Sequence, residues 1–254
     1  MNRQQAREAA KKCVESINRN DMKALWEVLN PILDAKVPFP LLDEIGKILG
    51  EAGKFSPPKY LGVFDEIFAR GKMGGYVILG QALGRLLDVE FEASLSKARE
   101  YIAKGAEWYV CDIIGERVLG PALVNHFERA LPYLEGLTGE EDRWVRRSIG
   151  VAVHFFAKRR SKDQERMRKL LALSSLLIED HRKDVIKGVG WGLKTIGKHQ
   201  PRLMEEYLQE ALKSKRLSKL MLRKASTYLD AKVKENLLNN WRQDEGERRT
   251  WQRQ

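Results

Sequence analysis

The sequence predicts an all-α protein, and three observations support this prediction. Apolar residues recur at spacings of three and four along almost the whole chain, which is the period of amphipathic helices. We find no alternation of apolar and polar residues long enough for a strand. Clusters of glycine, proline and small polar residues interrupt the helical pattern at short intervals, as expected where helices end.

The first 105 residues predict six helices. Spacings of three and four mark a helix over 3–19, and the same pattern from Leu25 to Ile32 marks the second. Asp21 precedes the second helix, where its side chain can accept a hydrogen bond from a free backbone amide. The other helices are expected at Leu41–Leu49, Tyr60–Phe68, Tyr76–Leu87 and Phe91–Ala103, with breaks at Val37–Pro40, Gly50–Gly53, Ser56–Pro58 and Arg70–Gly75.

The rest of the chain predicts a tighter series of helices. They are expected near 107–118, 121–135, 141–158, 163–178, 181–198, 201–212, 216–228 and 231–241, with breaks at Gly120-Pro121, Gly136–Gly139, Ser161 and His199–Pro201. A pair of helices recurs roughly every 35 to 45 residues, which is typical of a right-handed α-solenoid of HEAT-like (armadillo-type) antiparallel pairs. We predict one solenoid domain over residues 1–240 and a polar C-terminal tail over 241–254.

Composition restricts the class of protein. With 254 residues, of which 43% are hydrophobic, the chain can bury a sizeable core. No apolar run approaches the roughly 18 residues that a membrane span needs, and the polar N-terminus has no apolar signal segment behind it. We therefore expect a cytoplasmic protein with no membrane partner. A monomer is our expectation for the oligomeric state, which the composition does not decide. Cys13 and Cys111 form no disulfide framework and are expected as free thiols.

The net charge of +11 is distributed unevenly. The first 140 residues contain 18 Lys and Arg against 20 Asp and Glu, whereas residues 141–254 contain 28 against 15. An asymmetric basic surface indicates a polyanionic partner, nucleic acid first and an anionic membrane second. A basic face that serves only solubility is the remaining alternative. On the concave side of a solenoid, a basic surface suits an elongated anionic ligand.

Most other chemistry lacks support in the sequence. The four histidines are scattered, and no group of Cys, His or carboxylate residues has metal-ligand spacing. There is no P-loop, no dinucleotide-binding fingerprint and no Gly-x-Ser-x-Gly elbow. We therefore expect neither a metal nor a cofactor.

Two segments place a large aromatic residue beside charged ones. Trp108 and Asp112 are four residues apart, so they share one face of a helix. In a groove this pair offers an aromatic surface for a nucleotide and a carboxylate beside it. Elsewhere such a Trp is a core residue and such an Asp is solvated. In the second segment Trp144 precedes Arg146 and Arg147, and either arginine can bind a phosphate bidentately or form a salt bridge.

The third segment surrounds Trp191 with glycines in a helical pattern. Each glycine costs a helix roughly 1 kcal/mol relative to alanine, so the four glycines need an explanation. One explanation is tight helix packing. The other is that the missing side chains let a DNA backbone approach and leave Trp191 projecting. Lys187 and Lys194 bracket the segment and are candidate phosphate contacts. The four glycines are Gly188, Gly190, Gly192 and Gly197.

Together the three segments resemble the AlkD-like DNA glycosylases of the DNA alkylation repair family. The resemblance covers residues 107–200 well and the C-terminal helices loosely. The matching motifs are Trp-x-x-x-Asp at Trp108 to Asp112, aromatic-x-x-Arg at Trp144 to Arg147, and Ile-Gly-Trp-x-Leu at Val189 to Leu193. The resemblance implies a HEAT-like solenoid that wraps double-stranded DNA.

The resemblance also implies a function. It is that of a DNA repair glycosylase that excises cationic N3- or N7-alkylpurines from duplex DNA, without a cofactor and without deep base flipping. Asp112 is then the catalytic carboxylate, and Trp108 and Trp191 contact the lesion nucleotide. The expected DNA-binding residues are Arg147, Arg146, Lys187, Lys194 and Tyr109. Such a protein is expected in the cytoplasm, associated with the nucleoid when bound to DNA. Two alternatives stay open: a non-catalytic HEAT-repeat DNA-binding protein and a protein-interaction scaffold.

Overall fold

Helices are the only regular secondary structure in the part of the chain that the computed structural model describes, residues 1–251, with side chains through residue 243. The prediction of an all-α fold is therefore confirmed. The chain divides into two compact units, Met1–Ala122 and the residues from Leu123 onward. No described helix is both long and apolar enough to cross a membrane. The single domain expected over residues 1–240 stays a prediction.

The first unit consists of two layers of helices. Its helices are α1 (Arg3–Asn18), α2 (Met22–Asp34), α3 (Phe39–Gly53), α4 (Pro57–Ala69), α5 (Met73–Leu86), α6 (Phe91–Gly105) and α7 (Trp108–Ile114), followed by a π-helical segment (Gly115–Leu119) and by the first half of α8 (Gly120–Asn125), whose last residues belong to the second unit. In one layer α1 packs on α3, α3 on α5, and α5 on α7 and the π-helical segment. In the other layer α2, α4 and α6 pack against these helices. In the first of these layers, alternate helices of the chain are therefore neighbours.

Local signals set several helix boundaries in this unit. The side chain of Asp21 accepts a hydrogen bond from the amide of Ala24 at 3.0 Å, which confirms Asp21 as an N-cap. The break expected at Gly120-Pro121 is wrong. Pro121 lies in the first turn of α8, directly after the π-helical segment, where a missing N–H group is tolerated. The break expected at Gly50–Gly53 is also wrong, because these residues are the last turn of α3 and pack against neighbouring helices.

The second unit repeats the two-layer arrangement. Its helices are α9 (Phe127–Leu137), α10 (Arg143–Arg159), α11 (Gln164–Ser175), α12 (Lys183–His199), α13 (Pro201–Ser214), α14 (Lys219–Ala225) and α15 (Ala231–Trp251). Helices α10, α12 and α14 pack on one another in series, and α11 and α13 form the second layer with α9 and α15 beside them. The helix expected over 231–241 extends to Trp251. The indole N–H group of Trp241 on α15 donates to the carbonyl oxygen of Leu217 at 2.8 Å, and this hydrogen bond holds α15 to the segment before α14. Residues 252–254 of the expected tail lie outside the described residues.

Helices α10 and α12 touch through their backbones. A Cβ atom at Gly150 would lie 2.2 Å from the carbonyl oxygen of Gly188, and one at Gly188 would lie 2.5 Å from the carbonyl oxygen of Arg147. A Cβ atom at Gly192 would lie 2.7 Å from the carbonyl oxygen of Gly150. These distances leave no room for a side chain. They let Cα–H groups of one helix face carbonyl oxygens of the other.

The glycines around Trp191 therefore have a packing role. All four are buried, and their missing Cβ atoms face protein. Gly190 lies against the side chain of Lys224, and Gly197 lies against Met204 on α13. The explanation by tight helix packing is confirmed. The explanation that these glycines let a DNA backbone approach is wrong, because neighbouring helices already occupy the space.

The glycine contact at Gly150 yields a stability prediction. In Gly150→Ala the new methyl group meets backbone atoms of α12 that cannot rotate away, so the two helices must separate. We expect the free energy of unfolding to fall by about 3 kcal/mol, the upper part of the range for overpacked cores, as measured by urea denaturation.

The matched control is Gly136→Ala on α9, where an added Cβ atom has nothing within 4 Å. This variant should gain roughly 0.5–1 kcal/mol from the better helix propensity of alanine. If Gly150→Ala is as stable as Gly136→Ala, the backbone contact does not constrain α10 and α12.

Candidate nucleic-acid interface

The start of α7 exposes an aromatic ring beside a carboxylate. Trp108 is the first residue of this helix and is 57% exposed, although tryptophan is usually among the more buried residues. Its ring meets that of Tyr109 edge-on, with 5.9 Å between centroids. Asp112 follows one helical turn later and is partly buried. The expected helical context of the Trp-x-x-x-Asp motif is thus present in the first unit.

Tyr109 packs into its own unit. Its ring lies 6.3 Å from that of Tyr76 on α5, and burial raises the pKa of Tyr76, with a contribution from Tyr109. This contact fastens the first turn of α7 to α5. A role of Tyr109 toward DNA stays a prediction.

The π-helical segment is held to two other helices just after Asp112. Arg117 donates from Nε to one carboxylate oxygen of Asp43 on α3 at 2.7 Å, and from Nη2 to the other at 3.1 Å. Its backbone approaches α5 so closely that a Cβ atom at Gly84 would lie 2.2 Å from the carbonyl oxygen of Arg117. A bidentate ion pair and a backbone contact therefore hold the π-helical segment against α3 and α5, and this fixes the direction of the preceding helix, α7. Such π-helical segments often occur at functional sites.

In the second unit, α12 presents a basic stripe with an aromatic residue within it. Lys187, Trp191, Lys194 and Lys198 follow the spacing i, i+4, i+7 and i+11, which places them on one face of the helix. Lys187 and Lys198 are exposed, whereas Trp191 and Lys194 are partly buried. The ammonium groups of Lys194 and Lys198 lie 5.3 Å and 5.7 Å from the ring centroid of Tyr228. We call these four residues the α12 stripe.

Lys224 from α14 joins the α12 stripe. Its aliphatic chain lies across Gly190, where an added Cβ atom would meet the Cβ atom of Lys224 at 2.8 Å. Partial burial of its ammonium group lowers the pKa of Lys224, and the nearby charges of Lys194, Lys187 and Arg147 lower it further. These three neighbours are all cations. An anion placed here would relieve both the repulsion and the burial cost.

Arg147 belongs to this cluster from a buried position. It is only 7% exposed, and it donates from Nη1 to the carbonyl oxygen of Asp184 at 3.2 Å. Its aliphatic chain packs on Gly188, where an added Cβ atom would lie 2.6 Å from the Cγ atom of Arg147. The arginine therefore contributes positive charge near Lys224. Its role as a direct phosphate contact stays a prediction.

Arg146 takes part in a separate ion-pair network. It donates from Nη1 to Asp180 at 3.0 Å and from Nε to the carbonyl oxygen of Glu140, and Arg182 also binds Asp180. Burial by itself would raise the pKa of Asp180, but the hydrogen bonds from Arg182 and Arg146 outweigh it and hold that pKa at about 2. This pairing gives Arg146 a structural role at the start of α10 and α12, and its expected contact with DNA stays a prediction.

Trp191 stacks on a histidine that the sequence did not single out. The rings of His154 and Trp191 lie 3.9 Å apart at an angle of 24°. His154 Nδ1 is 2.7 Å from the hydroxyl of Thr195, and that hydroxyl donates to the carbonyl oxygen of Trp191 at 2.9 Å. Because the hydroxyl has a single proton, its bond to the carbonyl oxygen of Trp191 pairs with the tautomer of His154 in which Nδ1 is the donor. Burial lowers the pKa of His154 to about 4, with a contribution from the charge of Lys158.

Sequence reasoning missed His154 and Thr195 as members of the site, and it indicated Lys224 only as one of many basic residues in the second half, of which some should contact phosphates. Thr195 had a detectable signal, because it follows Trp191 by four residues and so shares its face of α12. His154 and Lys224 come from α10 and α14, and nothing in their own segments indicated which part of α12 they contact. No group of three or more His, Cys, Asp or Glu residues in the described part of the chain could hold a metal ion.

These features define a helical protein with an exposed aromatic–carboxylate pair in one unit and a lysine-rich aromatic surface in the other. Residues 72–229 match the family described as DNA alkylation repair enzyme, and the chain belongs to this family. The resemblance inferred from the three motifs is confirmed, and family membership indicates a role in DNA repair. The matched range includes every candidate residue from Trp108 to Lys224. No curated protein matches the chain.

The low pKa of His154 makes the stability of the fold depend on pH. The pKa is about 4 in the folded protein and about 6.5 in the unfolded chain, so the unfolded chain binds more protons between these values. The stabilising contribution is therefore complete above pH 6.5 and is lost as the pH falls toward 4.

Between pH 7 and pH 5 the wild type should lose about 1 kcal/mol more unfolding free energy than His154→Phe, a figure reduced because the ring is partly exposed. Urea denaturation at the two pH values measures the difference. Equal losses would mean that His154 titrates as it does in an unfolded chain.

Proposed function

We propose that this chain is a DNA glycosylase that hydrolyses the N-glycosidic bond of cationic N3- or N7-alkylpurines in double-stranded DNA. The observation that carries the proposal is the exposed Trp108 one helical turn before Asp112, on a helix within the matched family range. The family resemblance implies a right-handed HEAT-like solenoid that wraps its substrate, and the two-layer packing within each unit supports HEAT-like helix pairs.

The chemistry requires little from the protein. An alkylated purine leaves as a neutral base, so the reaction needs no general acid. Bond breaking develops positive charge on the deoxyribose, and a fixed carboxylate stabilises that charge or orients the attacking water. Asp112 takes this role. Trp108 supplies an aromatic face for the lesion nucleotide and stabilises its positive charge by a cation–π contact.

The second unit supplies aromatic and phosphate contacts. Trp191 takes a role similar to that of Trp108 toward the sugar of the lesion nucleotide. Lys187, Lys194 and Lys224 bind the DNA backbone, because all three are cations on one surface and the charges of the neighbouring cations lower the pKa of Lys224. The lesion is then handled from the side of the backbone, and a deep pocket for a flipped base is not required.

Substitution of Asp112 tests the catalytic role. We expect Asp112→Asn to release 7-methylguanine from duplex DNA roughly 10²-fold more slowly than the wild type, the usual cost of losing one group that stabilises transition-state charge. The affinity for the same duplex should change little. Base release in single-turnover conditions measures the first quantity, and fluorescence anisotropy measures the second.

The matched control is Glu107→Gln, which removes an exposed carboxylate at the N-cap of the same helix. This variant should release base at the wild-type rate. If Asp112→Asn is as active as Glu107→Gln, Asp112 has no part in the mechanism. If no protein in the series releases base while salt-sensitive binding persists, the chain is a non-catalytic DNA-binding protein.

Salt dependence tests the proposed phosphate contacts. Each lysine that neutralises a phosphate adds about 0.9 to the slope of log K against log salt concentration. Lys224→Ala should therefore lower that slope by about 0.9 and weaken binding to damaged and undamaged duplexes alike. Lys11→Ala, which removes an exposed lysine on α1, should leave the slope unchanged. Equal slopes for the two variants would remove Lys224 from the interface.

A further inference from the structure

His154 covers one face of the Trp191 indole and is tied to the same turn of α12. The ring stack, with 3.9 Å between centroids, fixes the plane of the indole. The chain of hydrogen bonds from His154 through Thr195 to the carbonyl oxygen of Trp191 fixes the imidazole against that turn. Trp191 thus lies between Lys187 and Lys194 in the α12 stripe with one ring face supported by protein.

We infer that His154 is a positioning residue for Trp191: as an uncharged stacking partner it holds the indole so that the opposite ring face is presented to the cationic nucleotide. The inference rests on the proposed function for the identity of the ligand. The stack of His154 on Trp191 is part of the fold and does not depend on the proposed function.

An uncharged partner matters because of how an indole binds cations. The face of the ring carries negative electrostatic potential and attracts positive charge. A positively charged imidazolium stacked on one face would offset the negative potential of the indole, and it would repel a cation at the opposite face. The burial that lowers the pKa of His154 to about 4, together with the charge of Lys158, keeps the imidazole neutral at physiological pH. The stack therefore supports Trp191 without competing with the ligand.

The geometry also separates positioning from chemistry. Nδ1 of His154 is engaged by Thr195, so this nitrogen is not available to a substrate. If support of the ring is what matters, a flat, neutral replacement should serve. Phenylalanine keeps a ring in the stack, whereas alanine removes it. Thr195→Val removes the hydrogen bonds and retains the shape of the side chain.

The experiment compares His154→Phe, His154→Ala and Thr195→Val in the full chain, each with and without Trp191→Phe. The difference between paired emission spectra isolates the fluorescence of Trp191. In the wild type this fluorescence should be quenched as the pH falls, with a midpoint near 4, because a protonated imidazole quenches a stacked indole. The transition should be absent in His154→Phe. In His154→Ala, acrylamide should quench Trp191 more strongly than in the wild type.

Release of 7-methylguanine at pH 7 provides the functional measurement. His154→Phe should remain within about threefold of the wild type, and His154→Ala should be about tenfold slower with unchanged affinity for undamaged duplex, because small misplacements of a contacting group have large effects on rate. Thr195→Val should fall between them.

The base-release rates and the quenching of Trp191 fluorescence can each contradict the inference without the other. Wild-type rates in a folded His154→Ala protein would overturn the inference, and so would equal losses in His154→Phe and His154→Ala. If the wild type releases no base, the proposed function fails and the acrylamide result decides the inference. Unchanged quenching of Trp191 in His154→Ala would then refute it.

Discussion

The contact between helix backbones within one layer is the constraint on which the rest of the structure depends. In each unit, glycines spaced four residues apart let a carbonyl oxygen of the neighbouring helix approach where a Cβ atom would otherwise stand. The pairs are Gly46 and Gly50 on α3 and Gly188 and Gly192 on α12, and on α5 Gly84 makes the same contact while Gly80, four residues earlier, lies against the side chain of Arg117. A rigid contact of this kind sets both the separation and the rotation of the helices, because neither backbone can yield. The exposed face of α12 therefore has a fixed direction, and Trp191 with it.

Close packing also determines where the positive charge is placed. Gly188 gives room for the aliphatic chain of Arg147, and Gly190 gives room for that of Lys224. Both cations are thereby drawn toward Lys187 and Lys194, where burial and mutual repulsion lower the pKa of Lys224. A free protein with like charges held together is less stable than one with the charges apart. Binding of an anion removes this penalty, so the cost of the cluster is recovered when the ligand is present.

The sequence was sufficient for most of the fold, because helical periodicity and capping residues act locally. Asp21 and the break at His199–Pro201 are examples in which a single segment contains the whole signal. The π-helical segment and the role of the glycines near Trp191 were not predictable in this way. Both depend on which helix lies opposite, as with Arg117 against α5 and α3. For the same reason Trp108 and Asp112 could be proposed from their spacing, whereas the positions of His154 and Lys224 against α12 could not be predicted.

The charges in the second unit are sorted in a manner that suits a cationic lesion in an anionic polymer. The lysines of the α12 stripe lie to either side of Trp191 along the helix, with Lys187 four residues before it and Lys194 and Lys198 three and seven residues after it. A cation next to the lesion would oppose the positive charge that develops on the sugar, whereas a cation at a flanking phosphate attracts the substrate without this penalty. The group stacked directly on Trp191 is a histidine that stays neutral above pH 4. Under the proposed function, neutral aromatic groups where charge develops, with lysines displaced to either side, would let one surface attract DNA and still accept a cationic base.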